Sequence, residues 1–221
     1  NTAARSGGGV SSFAGASVLV ESGAALVIQK NIATSFHGGG VYLQDEGSSL
    51  RASGNSTRVT IESNTAGRSG GGVSSAAGAD IWVENGAEFN IANNTCARNG
   101  AGAFLTNAGT SLTVTGIATR FYMLNNTVAC SSQIATSHCG GGGLSVGPRA
   151  SASITSPSLF RGNRADAGAG GAVELHGVGK NDGAAACVSV KLDISANENS
   201  TKRHLRVYTF PVSALDSRNN D

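Results

Sequence analysis

Internal repetition constrains this chain more than any other feature. Units led by asparagine begin at Asn1, Asn31, Asn64, Asn94, Asn126, Asn163 and Asn197, a period of about thirty residues. Behind each of the first six leaders comes a glycine cluster with a short apolar stretch: Gly7-Gly8-Gly9-Val10, Gly38-Gly39-Gly40-Val41, Gly70-Gly71-Gly72-Val73, Gly100-Ala101-Gly102-Ala103, Gly141-Gly142-Gly143-Leu144 and Gly170-Gly171-Ala172-Val173. Units one and three align without a gap, and so do the second halves of units two and four, from Ser49-Leu50 to Asn64 and from Ser111-Leu112 to Asn126. An older duplication of a pair of units accounts for both alignments.

Within a unit, apolar and polar residues alternate with the period of two that marks a strand with one buried face. Three such stretches occur per unit. The first follows the glycines, with Val41 and Leu43 on one face and Tyr42 on the other; the second is Val18 and Val20 around Leu19, or Ile81 and Val83 around Trp82. The third closes the unit. Five residues before the next leader stand Leu26, Val59, Phe89, Phe121, Ser158 and Leu192, and three before it Ile28, Ile61, Ile91, Met123, Phe160 and Ile194.

A unit this short cannot bury its apolar face alone, so it stacks on copies of itself. The expected fold is all-β: a single-stranded parallel β-helix, a solenoid of about six coils with three short strands per coil, stacked ~4.8 Å apart. Parallel crossovers are nearly always right-handed, which predicts that hand here. The repeat domain spans 1–196, and 197–221 reads as a C-terminal cap or a linker to a further module.

Composition agrees. Thirty-two glycines in 221 residues and 14% charged side chains disfavour helices, and with only 5% aromatics the core is expected to consist of small side chains. The glycines come in clusters, not at every third position, which excludes collagen. A net charge of +2 gives no global pull toward nucleic acid, and no apolar run reaches the ~20 residues of a membrane-spanning helix.

The leaders are expected to form a structural ladder. Stacked in register, the amides of Asn31, Asn64, Asn94, Asn126 and Asn163 hydrogen-bond to those above and below, and Asn tolerates the left-handed backbone of a tight corner. The glycines permit positive φ and close packing between coils. No Lys-Ser/Thr and no helix follow them, so they do not form a phosphate loop; the Asp of calcium-binding nonapeptide repeats is missing too.

One unit resembles a known family. Phe160-Arg161-Gly162-Asn163 with Gly170-Gly171-Ala172-Val173 is similar to the FxxN and GGA-plus-aliphatic tandem motifs of polymorphic outer membrane protein repeats. Looser versions run from Asn1 to Asn197, with Ile28-Gln29-Lys30-Asn31, Ile61-Glu62-Ser63-Asn64 and Met123-Leu124-Asn125-Asn126 replacing the Phe. The resemblance implies a secreted, surface-exposed β-helix passenger with a part in adhesion.

Four cysteines allow three pairings. Cys130 and Cys139 bracket Ser131 to His138, a segment that interrupts the repeat, and a loop-closing disulfide is expected there; Cys96 and Cys187 read as small buried residues. Sequons at Asn55 and Asn199 are candidate N-glycosylation sites, and with the cysteines they suggest an extracellular or cell-surface chain. The chain begins at Asn1 with neither methionine nor an apolar leader, as expected of a mature product or a piece of something longer.

For function, the outward columns matter. Tyr42 and Phe104 share the outward column of the first sheet two coils apart, while Trp82 and Tyr122 project from the other two; flat aromatic faces suit sugar rings or a protein partner. Arg5, Arg68 and Arg98 each lie four residues after a leader, so Arg68 and Arg98 stack on adjacent coils, a candidate site for an anion or acidic polysaccharide. No two acids adjoin on one face as polysaccharide-cleaving enzymes of this architecture require, and His37, His138, His176 and His204 sit apart near turns. No metal or other cofactor is expected. The expected role is a non-catalytic, structural or adhesive module of a larger cell-surface protein or fibre. Its partners would be other subunits packing end to end or laterally, or cell-surface glycans, with no nucleic acid and no direct membrane insertion. The alternative is a module that binds or degrades polysaccharide. A terminal basic cluster, Lys202-Arg203-His204-Arg206, belongs to the cap, and either more protein precedes Asn1 or another subunit docks on the first coil.

Overall fold

The structure is a computed structural model that describes residues 1–130, 139–166 and 170–175, together with the backbone of the strands Ala185–Cys187, Leu192–Asp193 and Glu198–Asn199. The interrupting segment 131–138, His176 and the C-terminal basic cluster lie outside the described residues, as do the side chains of Cys187 and Asn199. The described chain is a parallel β-solenoid without helices.

Every strand inside a sheet pairs in parallel with its equivalents one coil before and one coil after, and the end strands pair on one side. Three sheets carry six rungs each, and a fourth carries seven. The three main sheets are those of the alternating stretches, in the register that the repeat predicts: Val41↔Val73↔Ala103 in the first, Leu50↔Ile81↔Leu112 in the second, Val59↔Phe89↔Phe121 in the third. The fourth sheet is an addition to the three strands read from sequence. Its seven rungs are the two residues directly behind each leader: Thr2–Ala3, Ile32–Ala33, Thr65–Ala66, Thr95–Cys96, Thr127–Val128, Arg164–Ala165 and Glu198–Asn199. Two residues are too few to show a period of two, so sequence pattern cannot reveal them.

The leaders form a continuous buried ladder. Asn31, Asn64, Asn94, Asn126 and Asn163 are at most 3% exposed. Each Oδ1 accepts two hydrogen bonds from the leader of the preceding coil; for Asn94 these come from the Asn64 backbone N–H at 2.9 Å and the Asn64 Nδ2 at 3.0 Å. The other Nδ2 hydrogen reaches back to a carbonyl of the preceding coil, Ile61 O for Asn94 at 2.9 Å and Met123 O for Asn163 at 2.8 Å. Only a side chain carrying both acceptor and donor at this length satisfies all of these groups. The left-handed corner falls one residue earlier than the sequence reading placed it: Lys30, Ser63, Asn93 and Asn125 take φ of 53–55°, which releases the leader to turn inward.

Two glycine positions of the cluster have separate reasons. The first, from Gly7 through Gly170, holds φ between 58° and 67° in all six units, a conformation costly to any residue with a Cβ. The third is cramped. A methyl group on Gly72 would come within 2.6 Å of the Gly102 carbonyl and 2.9 Å of the Asn94 amide.

Hydroxyl side chains stitch the opposite corners. Thr57, Thr110 and Thr119 are buried, and their Oγ1 atoms accept from Gly23, Gly78 and Gly86 backbone N–H groups of the preceding coil at 3.0–3.1 Å. Thr57 in turn donates to Ser53 O, and Thr110 to Thr106 O.

The core departs from the expectation of small side chains. Phe89, Phe121 and Phe160 are fully buried and touch in sequence, with centroids 6.0 and 6.1 Å apart; Phe89 and Phe121 share one column, and Phe160 meets Phe121 diagonally from the column of Ile91 and Met123. Small neighbours make the room. The coil of Phe121 carries Ala103 on the first sheet, and the coil of Phe160 sets Ser158 and Ala152 where the coil before it has Phe121 and Leu112. Total volume is kept nearly constant from coil to coil, the condition that close packing imposes.

Candidate functional site

The first sheet's outward column reads Ser11, Tyr42, Ser74, Phe104, Ser145 and Glu174. Serines alternate with larger residues. Ser74 lies between the two aromatic rungs and is 1% exposed although it points away from the core, because rings from neighbouring coils roof it over. One of them belongs to His37, on the turn before the glycines. Its ring is nearly parallel both to Tyr42, at 17° and 6.4 Å, and to Phe104, at 16° and 6.0 Å. Phe13 extends the row to the first coil, packing edge-on against Tyr42 at 5.6 Å.

Beside this row runs a groove of about 420 Å³, lined among others by His37, Tyr42, Gln44, Phe104, Thr106 and Asn107. Tyr42 donates its hydroxyl hydrogen to Gln44 Oε1 at 2.7 Å, and Gln44 Nε2 donates to Asp45 Oδ1 at 3.2 Å. Burial first, and then the nearby Asp45 carboxylate, push the Tyr42 phenol above its ordinary pKa of 10, so it stays protonated as a donor.

Next to His37, one of the groove's lining rings, stands a cationic column that does not itself line the groove. Backbone bonds from Phe36 N to Arg5 O, from Arg68 N to Phe36 O and from Arg98 N to Arg68 O order it as Arg5, Phe36, Arg68, Arg98 on four successive coils. An extra residue in the second unit puts Phe36 into a place that arginine holds in units one, three and four. Its ring lies between two guanidinium groups, 5.4 Å from Arg5 Cζ and 5.7 Å from Arg68 Cζ, which relieves the repulsion that adjacent arginines alone would feel. None of the three arginines makes an ion pair among the described residues, whereas Arg51 pairs with Glu84, Arg58 with Glu88 and Arg164 with Asp166.

His37 links row and column. Burial, with Arg68 and then Arg98 adding to it, lowers its pKa from 6.5 to about 4, so the ring is neutral at pH 7. The unfolded chain therefore binds this proton more readily than the fold does. The resulting stabilisation is complete above pH 6.5, is lost as pH falls toward 4, and stops changing below that. Allowing for partial solvent access, the loss is about 1–2 kcal/mol. Urea midpoints at pH 7 and pH 4.5 should differ more in the natural protein than in a His37→Gln variant; equal differences would show that His37 carries no such coupling.

The other sites read from sequence do not join this face. Trp82, 39% exposed, stands on the second sheet in register with Arg51, and Tyr122 on the third in register with Asn90. Asn55 is exposed at a turn, and the threonine of its sequon, Thr57, has the stitching role described above. Cys130 and Cys139 are joined, their Cα atoms 6.4 Å apart. Cys96 is a buried free thiol whose pKa burial raises to about 12, so it is unreactive at neutral pH. Among the described residues no three His, Cys, Asp or Glu side chains converge as metal ligands, and no helix is long and apolar enough to cross a membrane. The sequence reading set His37 aside as a residue standing apart near a turn, whereas its ring joins Tyr42 and Phe104; Phe36 and Phe13 it did not single out. The available signal was a Phe-His pair directly before a glycine cluster, where units one and three carry Arg-Ser. Neither protein-family profiles nor curated proteins nor solved structures yield a match to this chain.

Proposed function

We propose that the chain is an extracellular, non-catalytic β-helix module of a larger cell-surface protein or fibre, built on repeats of the polymorphic outer membrane protein kind, and that it serves adhesion. The observation that carries this reading is the row of half-exposed rings, His37, Tyr42 and Phe104, held side by side on the outer face of a rigid sheet next to arginines that make no ion pair among the described residues. A ladder of amides and hydroxyls fixes the backbone beneath them, so little ordering remains to oppose binding. The disulfide between Cys130 and Cys139 suits an oxidising compartment.

Beads coated with the protein should adhere under flow to cell surfaces, and a Tyr42→Ala/Phe104→Ala double variant with an unchanged circular dichroism spectrum should lose about nine-tenths of that retention. Natural protein that fails to adhere, or that releases reducing ends from a polysaccharide, would refute the reading.

A further inference from the structure

Resting on the adhesive reading, the next question is what chemistry the face recognises. Two unlike charged groups adjoin residues that line the groove. Next to His37 lie Arg5, Arg68 and Arg98, consecutive along the rod except for Phe36 and free of acidic partners among the described residues. Next to Gln44, Asp45 closes the hydrogen-bonded chain from Tyr42. The lining itself is neutral: Tyr42, Gln44, Thr106 and Asn107 offer hydroxyl and amide groups, and His37 and Phe104 offer rings. Such a floor matches a ligand with many hydroxyls and apolar ring faces. The arginine column matches planar or tetrahedral anions set along one edge of that ligand, since guanidinium forks bind carboxylate and sulfate through paired hydrogen bonds.

Charge placement narrows the class. A nucleic acid carries a phosphate at every residue, and some of those phosphates would be forced toward Asp45; the chain's net charge of +2 offers little to offset this. An acidic peptide has the anions but lacks the flat, hydroxyl-bearing rings that the neutral floor fits.

We infer that the groove bounded by Tyr42, His37 and Phe104, with the neighbouring Arg5-Arg68-Arg98 column, binds an acidic polysaccharide: a chain of pyranose rings bearing carboxylate or sulfate groups. The anions lie along the arginine column, and the sugar hydroxyls meet Gln44, Thr106 and Asn107.

Calorimetric titration of the full chain tests this with four probes of matched length: a uronic-acid hexasaccharide, a sulfated hexasaccharide, a neutral hexasaccharide and a single-stranded DNA hexamer. At least one acidic sugar should bind at least about tenfold more tightly than the neutral sugar and the DNA, and its affinity should fall steeply as NaCl is raised from about 0.05 to about 0.5 M. Which of the two acidic sugars binds separates carboxylate from sulfate as the recognised group. Arg68→Gln/Arg98→Gln should weaken the acidic sugar about tenfold or more while leaving the thermal midpoint in place, and Tyr42→Ala/Phe104→Ala should weaken it similarly. The inference is overturned if neither acidic sugar binds, if DNA or a glutamate hexapeptide binds equally well, or if the aromatic substitutions change nothing. The titrations with unaltered protein decide the first two points even where a variant fails to fold. Beads that still adhere to cells stripped of acidic glycans would end this assignment while leaving the adhesive reading standing.

Discussion

Replacing Asn94 by alanine is expected to remove about 4 kcal/mol of folding free energy, a large part of the 5–15 kcal/mol that a domain ordinarily holds. The substitution deletes the acceptor for two donors of Asn64, its backbone N–H and its Nδ2, and the donor that satisfies Ile61 O. All of these groups are shut away from water: Asn64, Asn94 and Ile61 are all fully buried. Each orphaned group costs about 1–3 kcal/mol, and the space left by the amide is too confined to admit a full set of replacement waters. The neighbouring residue supplies the control. Asn93 is exposed with φ of 55°, so Asn93→Gly should change stability by no more than about 0.5 kcal/mol. Urea denaturation of the two variants, with hydrogen exchange at the Asn64 amide, makes the comparison. Equal stability of Asn94→Ala and Asn93→Gly would show that the ladder is ornament, not support.

Phe121→Ala is expected to cost about 3–5 kcal/mol. Phe121 is the middle of three buried rings in contact, with Phe89 at 6.0 Å and Phe160 at 6.1 Å, so its removal strips contacts from both neighbours. The surrounding backbone cannot close the gap, because strands on either side hold it in parallel register. Phe104→Ala removes a ring of the same size from the half-exposed outer face and should cost about 1 kcal/mol or less. Guanidinium denaturation distinguishes the two. A loss below about 1 kcal/mol for Phe121→Ala would mean that the coils collapse onto the cavity, against the rigid packing described above.

Much of this fold was legible in the sequence because its information is local and repeated. The alternation around Ile28, Ile61 and Ile91 fixes which residues face inward, and the spacing of the leaders fixes which residues stack, so strand register follows from counting. What was not legible depends on how coils overlap in space. The alternation put Phe89, Phe121 and Phe160 on the inward face, as found, but composition pointed to a core of small side chains because volume is shared between sheets: Phe160 is accompanied by the small Ser158 and Ala152, and no single strand shows that compensation. The hydroxyl corners were missed for a similar reason. Thr57, Thr110 and Thr119 look like ordinary turn residues until the glycine N–H groups of the preceding coil are seen above them. In the candidate site, sequence located Tyr42 and Phe104 on one column, and Arg68 next to Arg98. It could not show that the ring of His37, from the second coil, reaches across Ser74 to Phe104 on the fourth, nor that Phe36 separates Arg5 from Arg68.

On the outward column serines alternate with Tyr42, Phe104 and Glu174, and the spacing of its two aromatic rungs makes the solenoid a ruler. Its graduation is two coils, or ~10 Å at the usual spacing of strands. A gene that lengthens by copying a pair of units would lay down another ring at the same interval and orientation, whereas copying a single unit would throw the pattern out of phase. Grip on a polymeric target could thus be raised simply by adding length, each new pair contributing a further equivalent foothold already at the correct distance from the last.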